Sequence, residues 1–385
     1  MAQPPAFLAD PALRDVLAAL PRARLVGGCV RDALMGQQVA DIDLATPDPP
    51  EAVMAALRAA GLKAVPTGLA HGTVTAVARH RGFEVTTLRR DVATDGRHAE
   101  VAFTEDWRAD AARRDFTINA MSMSADGTLH DYFGGRDDLT AGRVRFVGVA
   151  SERVAEDYLR VLRFFRFHAR YGRGAPDGAA VAAIRAGVAG LGRLSAERVW
   201  GELKRILTGP DPVGAIALMR DCGVLDAVLP EAGDGAVLAA VVSAGAPREP
   251  VLLLAALIEG SGADAAARLK LSGAEAARLM ALRAAAAPAD DADDDDLRRA
   301  LADTEKAILV GATWLAGRGD ALRARLTAMP VPVFPLAGRD LAAQGVAAGP
   351  AMGALLRDLR GWWLAGGCRA DGADCRAELA RRLAG

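Results

Sequence analysis

Lysine is scarce. Only Lys63, Lys204, Lys270 and Lys306 stand among the 47 Lys and Arg residues of this 385-residue chain, so nearly all positive charge is arginine. Arginine offers a planar fork that matches phosphates and base edges, although a GC-rich coding bias would produce the same excess. Cysteine is equally sparse: Cys29, Cys222, Cys368 and Cys375 contain no close CxxC pair. That spacing argues against a structural zinc site and a disulfide framework, and reads as reduced thiols. Long hydrophobic runs are missing too. The longest, around Val251 to Ile258, falls far short of the roughly 20 residues that span a bilayer. The start, MAQPPAFLADPALRDV, has no basic stretch leading into an apolar one, so no signal peptide is visible and a cytoplasmic location is expected. Charge of one sign is also lacking, with a net charge of −1. This does not exclude a nucleic-acid partner, because a local basic face is enough.

What is present is ordinary for a soluble globular chain: 51% of residues are apolar and 25% charged, with length for two or three domains. The first part mixes strand and helix signals. Asp41-Ile42-Asp43-Leu44-Ala45 alternates polar and apolar as a half-buried strand does. Residues 51–60 read as a helix, and residues 72–78 and 83–88 as β-branched strands around a turn at His80 to Gly82. This predicts an α/β head on a mixed sheet over residues 1–148. After Ser151 alanine, leucine and arginine recur at helical spacing. Helices are expected at about 151–171, 178–190, 195–208 and 211–222, and again through the tail. The remainder is therefore predicted to be all-α, as a neck over 149–235 and a body and tail over 236–385. The acidic run 290–296 reads as a solvated loop or helix start.

Three motifs carry chemistry. In the first, Leu25-Val-Gly-Gly-Cys-Val-Arg-Asp-Ala-Leu34 precedes Asp41-Ile-Asp43. Carboxylates at i and i+2 of a strand project to one face, where they can share divalent metals ~3.5–4 Å apart. The Gly27-Gly28 turn lets backbone N–H groups approach a phosphate and opens a helix whose N-terminus favours anions. Arg31, in that helix's first turn, stands where it can clamp the same phosphates. The second motif is Arg113-Arg114-Asp115-Phe-Thr-Ile-Asn-Ala-Met121, where one arginine is expected to pair with an acid and the other to serve a ligand. Asn119 reads as a capping or ribose-proximal group. The third is Glu156-Asp157-Tyr-Leu-Arg160-Val-Leu-Arg163-Phe-Phe-Arg166. On a helix Asp157, Arg160 and Arg163 step about 60° apart, giving one face an acceptor and two donor forks that could read a base edge. An amphipathic helix with i,i+3 ion pairs would account for Arg160 equally well.

The three motifs in this order, followed by Ser195-Ala-Glu-Arg-Val199 with Glu202-Leu203, resemble the class II CCA-adding tRNA nucleotidyltransferase and bacterial poly(A) polymerase family. The likeness covers roughly residues 20–230, and Pro335-Leu-Ala-Gly-Arg-Asp-Leu341 extends it more loosely. It implies a polymerase-β-like palm, a helical neck that recognises the nucleotide, and a body and tail that hold tRNA. By position, Asp41 and Asp43 would bind Mg²⁺, and Gly28 and Arg31 would contact the triphosphate. Arg114 would contact ribose or phosphate, and Asp157, Arg160, Arg163 and Arg166 would form the nucleotide-reading set. Glu84 is a candidate third acid. Where the family often has proline after the Glu-Asp pair, this chain has Tyr158. The segment 89–98 resembles the flexible loop of enzymes that add all of CCA, and the tail lacks the basic extension common in the poly(A) polymerases. The implied activity is CCA addition to tRNA from CTP and ATP; poly(A) or A-only addition is the alternative. No histidine follows His168, which excludes the His-Asp phosphohydrolase domain that some relatives carry in their C-terminal half. A non-catalytic tRNA-binding protein would be expected to have lost Asp41 or Asp43. A small-molecule nucleotidyltransferase would not need so large a helical region.

Overall fold

Alternation of buried and exposed positions builds the sheet that carries the site. In the computed structural model, which describes residues 5–39, 41–94 and 99–384, the chain forms two units, Met1–Pro230 and Glu231–Gly385. The first opens with helix α1 (Pro11–Ala19), whose cap Asp10 accepts the Ala12 N–H at 2.8 Å and whose proline sits at the first helical position. Both features favour a helix start. Then follow β1 (Arg24–Val26), α2 (Gly28–Leu34), β2 (Asp43–Thr46), α3 (Pro50–Ala59), β3 (Lys63–Gly68), β4 (Thr73–Ala78) and β5 (Arg81–Thr87). Next come β6 (Arg89–Thr94), β7 (Ala99–Phe103), α4 (Trp107–Ala112), β8 (Ser122–Met123), β9 (Leu129–His130) and α5 (Gly135–Ala141).

Among the described residues seven strands form one mixed sheet in the order β3-β4-β5-β2-β1-β8-β9, and β6 and β7 form a separate hairpin. Only the β2–β5 pair of that sheet is parallel. Val74, Ala76 and Ala78 of β4 and Phe83 and Val85 of β5 are buried, on the side covered by α1 and α3. The intervening residues, Glu84 and Asp43 among them, face the other way. The β4–β5 turn is tighter than its sequence suggests. Arg79 and His80 take φ of 49° and 65°, so two non-glycine residues make the turn, and Gly82 already pairs with Val77. Of the segment 89–98, residues 89–94 form strand β6 rather than loop, and residues 95–98 lie outside the described residues.

The all-helical continuation comprises α6 (Ala150–Glu156), α7 (Leu159–Tyr171), α8 (Gly178–Gly187), α9 (Ala196–Leu207), α10 (Pro212–Asp221) and α11 (Val224–Val228). The helix expected to run unbroken over 151–171 is two helices. Asp157 is extended at φ −152° and ψ 107°, and its Oδ1 accepts the Leu159 N–H at 3.0 Å, a side-chain cap at the start of α7. An aromatic cluster joins α7 to the bridged segments before it: Phe116, bridged to Phe146, lies 5.0 Å from Phe146 and 5.2 Å from Phe167, centroid to centroid.

In the second unit, the apolar run becomes the helix Pro250–Leu257, with Val251 to Leu257 all buried. The acidic run is accounted for by caps and ion pairs. Asp293 caps the helix Asp294–Asp303, Asp294 meets Arg325, Asp295 meets Arg298 and Arg369, and Asp296 meets Arg299. All four cysteines are free, and among the described residues no helix is long and apolar enough to cross a membrane.

Candidate active site

The first motif folds by a local rule. Gly27, at φ 70° and ψ −125°, turns the chain from β1 into α2, a backbone region that only glycine adopts without strain. A Cβ there would sit 3.2 Å from Arg114 Nη1, so the turn and the second motif are already in contact. Together they open a cavity of about 560 Å³. Its walls hold Gly27, Gly28, Arg31 and Asp43 from the first motif, Arg113, Arg114, Asp115 and Asn119 from the second, and Asp157, Arg160 and Arg163 from the third, with Arg89 beside them. Three segments distant in sequence therefore meet in one place.

The acids lie along one edge. Asp41 and Asp43 are exposed while Ile42 and Leu44 are buried, the alternation that the sequence carries. Asp43 lies in register opposite Glu84 across the β2–β5 pair. Although the residue's surface is open, protein packed around its carboxyl shields it from water, and the Asp43 carboxyl is pushed up first by that desolvation and then by the Glu84 charge; Arg114 opposes this and Asp41 adds to it. Negative charge is thus in excess around Asp43. Asp41 precedes β2 and does not line the cavity.

Each arginine of the three motifs is held by an acid, and most of these acids were not legible as partners. Arg113 donates to Asp110 at 2.9 and 3.0 Å and to the Arg89 carbonyl at 3.1 Å. Arg114 makes a single 3.2 Å bond to the same carboxylate. Both arginines are therefore paired, Arg114 more lightly, with its other nitrogen at the glycine turn. Asp110 lies three and four residues before them, a helical spacing that was the available signal. Arg31 is buried, at 8% exposure. It bonds Asp32 at 3.0 and 3.1 Å and also donates to the Asn119 side chain. Asn119 donates in turn to Asp115 at 3.0 Å, and Asp115 accepts Arg163 at 2.5 and 2.8 Å. Asn119 is thus a link between arginines of two motifs rather than a cap.

The third motif departs from a single helical face. Asp157 stands at the break before α7, where Arg198 donates to its Oδ2 at 2.8 Å. Arg160 bonds Glu156 at 2.5 Å, the carbonyl of Arg153 at 2.9 Å and that of Arg113 at 3.3 Å. The Glu156 pair is i,i+4 and spans the break between α6 and α7, so it is not the i,i+3 pair expected within one amphipathic helix, and Arg160 also lines the cavity. Arg166 does not: it donates to the buried Glu202 at 2.7 Å.

A glycine turn at a helix start, an acidic row across a parallel strand pair and arginines from a helical neck make up the layout of a nucleotidyltransferase. Residues 23–145 match the poly(A) polymerase head domain and residues 176–234 the probable RNA and SrmB-binding site of polymerase A. The chain is 39% identical to CCA tRNA nucleotidyltransferase 1, mitochondrial, of Danio rerio over 88% of its length and 83% of the relative's. It is also 39% identical to the Homo sapiens protein of that name, over 88% of this chain and 82% of the other. The chain belongs to the family of CCA tRNA nucleotidyltransferases. Its fold superposes on a Bacillus stearothermophilus CCA-adding enzyme solved in complex with CTP at a TM-score of 0.79, with 27% identity, over 97% of this chain and 98% of the other. A Thermotoga maritima CCA-adding enzyme shares the fold at a TM-score of 0.71, with 19% identity, over 99% of each chain.

Proposed function

We propose that this chain adds CCA to the 3′ end of tRNA from CTP and ATP, without a template, and releases pyrophosphate. One observation carries the reading: a single cavity joins the Gly27-Gly28 turn, Asp43, which pairs in register with Glu84, and the side chains of Asp157, Arg160 and Arg163, in a chain whose relatives are named for CCA addition. Within it, residues 1–148 serve as the catalytic head, 149–235 as the nucleotide-reading neck and 236–385 as the tRNA-holding body and tail.

The excess negative charge around Asp43 fits a divalent cation. Among the described residues no three His, Cys, Asp or Glu side chains converge as a closed metal site. That suits Mg²⁺, which takes one or two carboxylates and fills its remaining positions with water and substrate phosphates. Asp41 and Asp43 would hold it, with Glu84 as the third acid. Held as a pair between these acids and the substrate, such ions would supply one to lower the pKa of the attacking 3′-hydroxyl and the other to support the departing pyrophosphate. The protein's own part is positional. Gly27 and Gly28 let backbone N–H groups approach the phosphates, while Arg31 and Arg114 neutralise them. At the other end Asp157, Arg160 and Arg163 offer an acceptor and two forks to the Watson–Crick edge of C or A, each good bidentate contact giving about 1–3 kcal/mol of discrimination. Arg166, through Glu202, supports that helix. The cytoplasm is the proposed place of action, which cell fractionation tests.

The decisive experiment is incubation of tRNA lacking its 3′ end with CTP alone, ATP alone, then both. Ordered CC-then-A products are expected; a long A tract would place the chain among the poly(A) polymerases instead. Asp41→Ala should abolish incorporation, and near-normal activity in that variant would refute the metal assignment.

A further inference from the structure

Arg31 is boxed in. A guanidinium has five N–H donors. Nε and Nη2 each give one to Asp32, at 3.0 and 3.1 Å, and Nη1 gives one to Asn119. Two N–H groups remain, one on each terminal nitrogen. Nη2 stands 3.6 Å from where a Cβ would lie on Gly28, so the open side of the group is at the glycine turn. The closed side is aromatic and comes from the neck: the Arg31 guanidinium lies 4.4 Å from the Tyr171 ring and 5.2 Å from the Phe167 ring. Those two rings stack at 5.9 Å. The Tyr171 hydroxyl then reaches past the guanidinium and donates to Asp32 Oδ1 at 2.8 Å. Burial pushes that hydroxyl up to about 12, so it stays a protonated donor.

We infer that Tyr171 is a positioning residue for the phosphate end of the site: its hydroxyl fixes the Asp32 carboxylate, its ring backs the guanidinium, and Arg31 is left presenting two N–H groups toward the glycine turn. The inference rests on the reading above that Arg31 meets the triphosphate. It follows from the chemistry of the parts. An arginine bound only by neighbours in its own helix could swing with them, and the cost of ordering it would fall on nucleotide binding. Here Asp32 is pinned from another helix, and α7 is itself pinned two turns earlier by the Arg163–Asp115 pair. Asn119 closes the circuit between Asp115 and Arg31. The same helix therefore sets the phosphate end through Tyr171 and the base end through Arg163. Because Tyr171 acts at the phosphate end, its effect is blind to the base.

Tyr171→Phe keeps the ring and removes the donor, so it tests the hydroxyl alone. With tRNA substrates ending before C and before A, the KM for CTP and for ATP should rise by the same factor, about tenfold, the effect of losing one hydrogen bond to a charged group. The kcat should stay within about threefold, and the affinity for CMP, which lacks the β- and γ-phosphates, should not change. Equal weakening of CTP and CMP would mean a merely structural role and overturn the inference, as would a changed preference between CTP and ATP. Arg31→Lys, alone and combined with Tyr171→Phe, completes a cycle. If Tyr171 works through Arg31, the double variant is no weaker than Arg31→Lys alone, whereas additive losses refute the link. If Arg31→Lys leaves both KM values untouched, it is the triphosphate reading that fails. If Arg31→Lys raises them and Tyr171→Phe does not, the positioning role fails. Should Tyr171→Phe not fold, Asp32→Asn cuts the same link from the other side and carries the same expectations.

Discussion

Gly27 is where a single backbone angle decides whether the site exists. Its φ of 70° lies where a Cβ costs about 1–3 kcal/mol in strain, and that Cβ would stand 3.2 Å from Arg114 Nη1. Gly27→Ala is therefore expected to lower Tm by a few degrees while reducing kcat/KM for CTP at least tenfold, because the turn that carries the N–H groups and the Arg114 fork must both shift. Thermal unfolding and steady-state incorporation measured on one preparation check this. A loss of activity no larger than the loss of stability explains would count against the phosphate role of the turn. Residues of this kind were legible in the sequence, since a glycine pair between a strand and a helix, and acids at alternate strand positions, are local patterns. Asp115 and Asn119 were not. Their importance comes from Arg163, 48 residues from Asp115, and Arg31, 88 residues from Asn119, and no local pattern names such partners.

At the scale of elements, the break between α6 and α7 shows why periodicity misled. The apolar spacing through 151–171 is continuous, yet Asp157 leaves the helix because its side chain is engaged twice, by the Leu159 N–H and by Arg198 from α9. The second of these is a tertiary contact, invisible to a local window. The β6–β7 hairpin was missed for a similar reason: its polar opening residues read as loop, and its pairing with 99–103 is what makes 89–94 a strand. The attachment of α7 to the segment after α4, through Arg163 and Asp115, makes a prediction about pH. Burial by itself would raise the Asp115 carboxyl, but the Arg163 guanidinium, the Asn119 amide and the Phe116 N–H together hold it below its ordinary value. A carboxyl held low in the fold stabilises it above the unfolded-chain value, ~4, and that stability is lost as pH falls through the lower folded value. Asp115→Asn should therefore cost about 2 kcal/mol at pH 7, and the gap from the unaltered chain should close as pH drops below ~4. Urea unfolding at pH 7, 5, 4 and 3 measures it, and a gap that stays constant over that range would refute the depressed carboxyl.

For the whole molecule, the chain divides at Pro230 and Glu231 into two units. The described residues that line the candidate site fall between Gly27 and Arg163, inside the first unit. The second unit has cores of its own: Leu297, Leu301, Leu309, Leu322 and Leu326 form one, and Leu336, Leu341, Leu359, Trp363, Cys375 and Leu379 another. Since the residues lining this cavity all belong to the first unit and these two cores to the second, a fragment of residues 1–230 should fold by itself and bind CTP and ATP with the affinity of the full chain. If the body and tail hold tRNA, that fragment should show a KM for tRNA at least tenfold higher, with a shallower dependence on salt, because each lost phosphate contact removes about one released counterion from the slope. Nucleotide affinity by calorimetry, set beside incorporation at 50 and 200 mM salt, tests both halves together. A fragment that binds CTP and also matches the full chain at limiting tRNA would move the tRNA-holding surface into the first 230 residues. A folded fragment that loses CTP would mean that the cavity depends on the second unit after all.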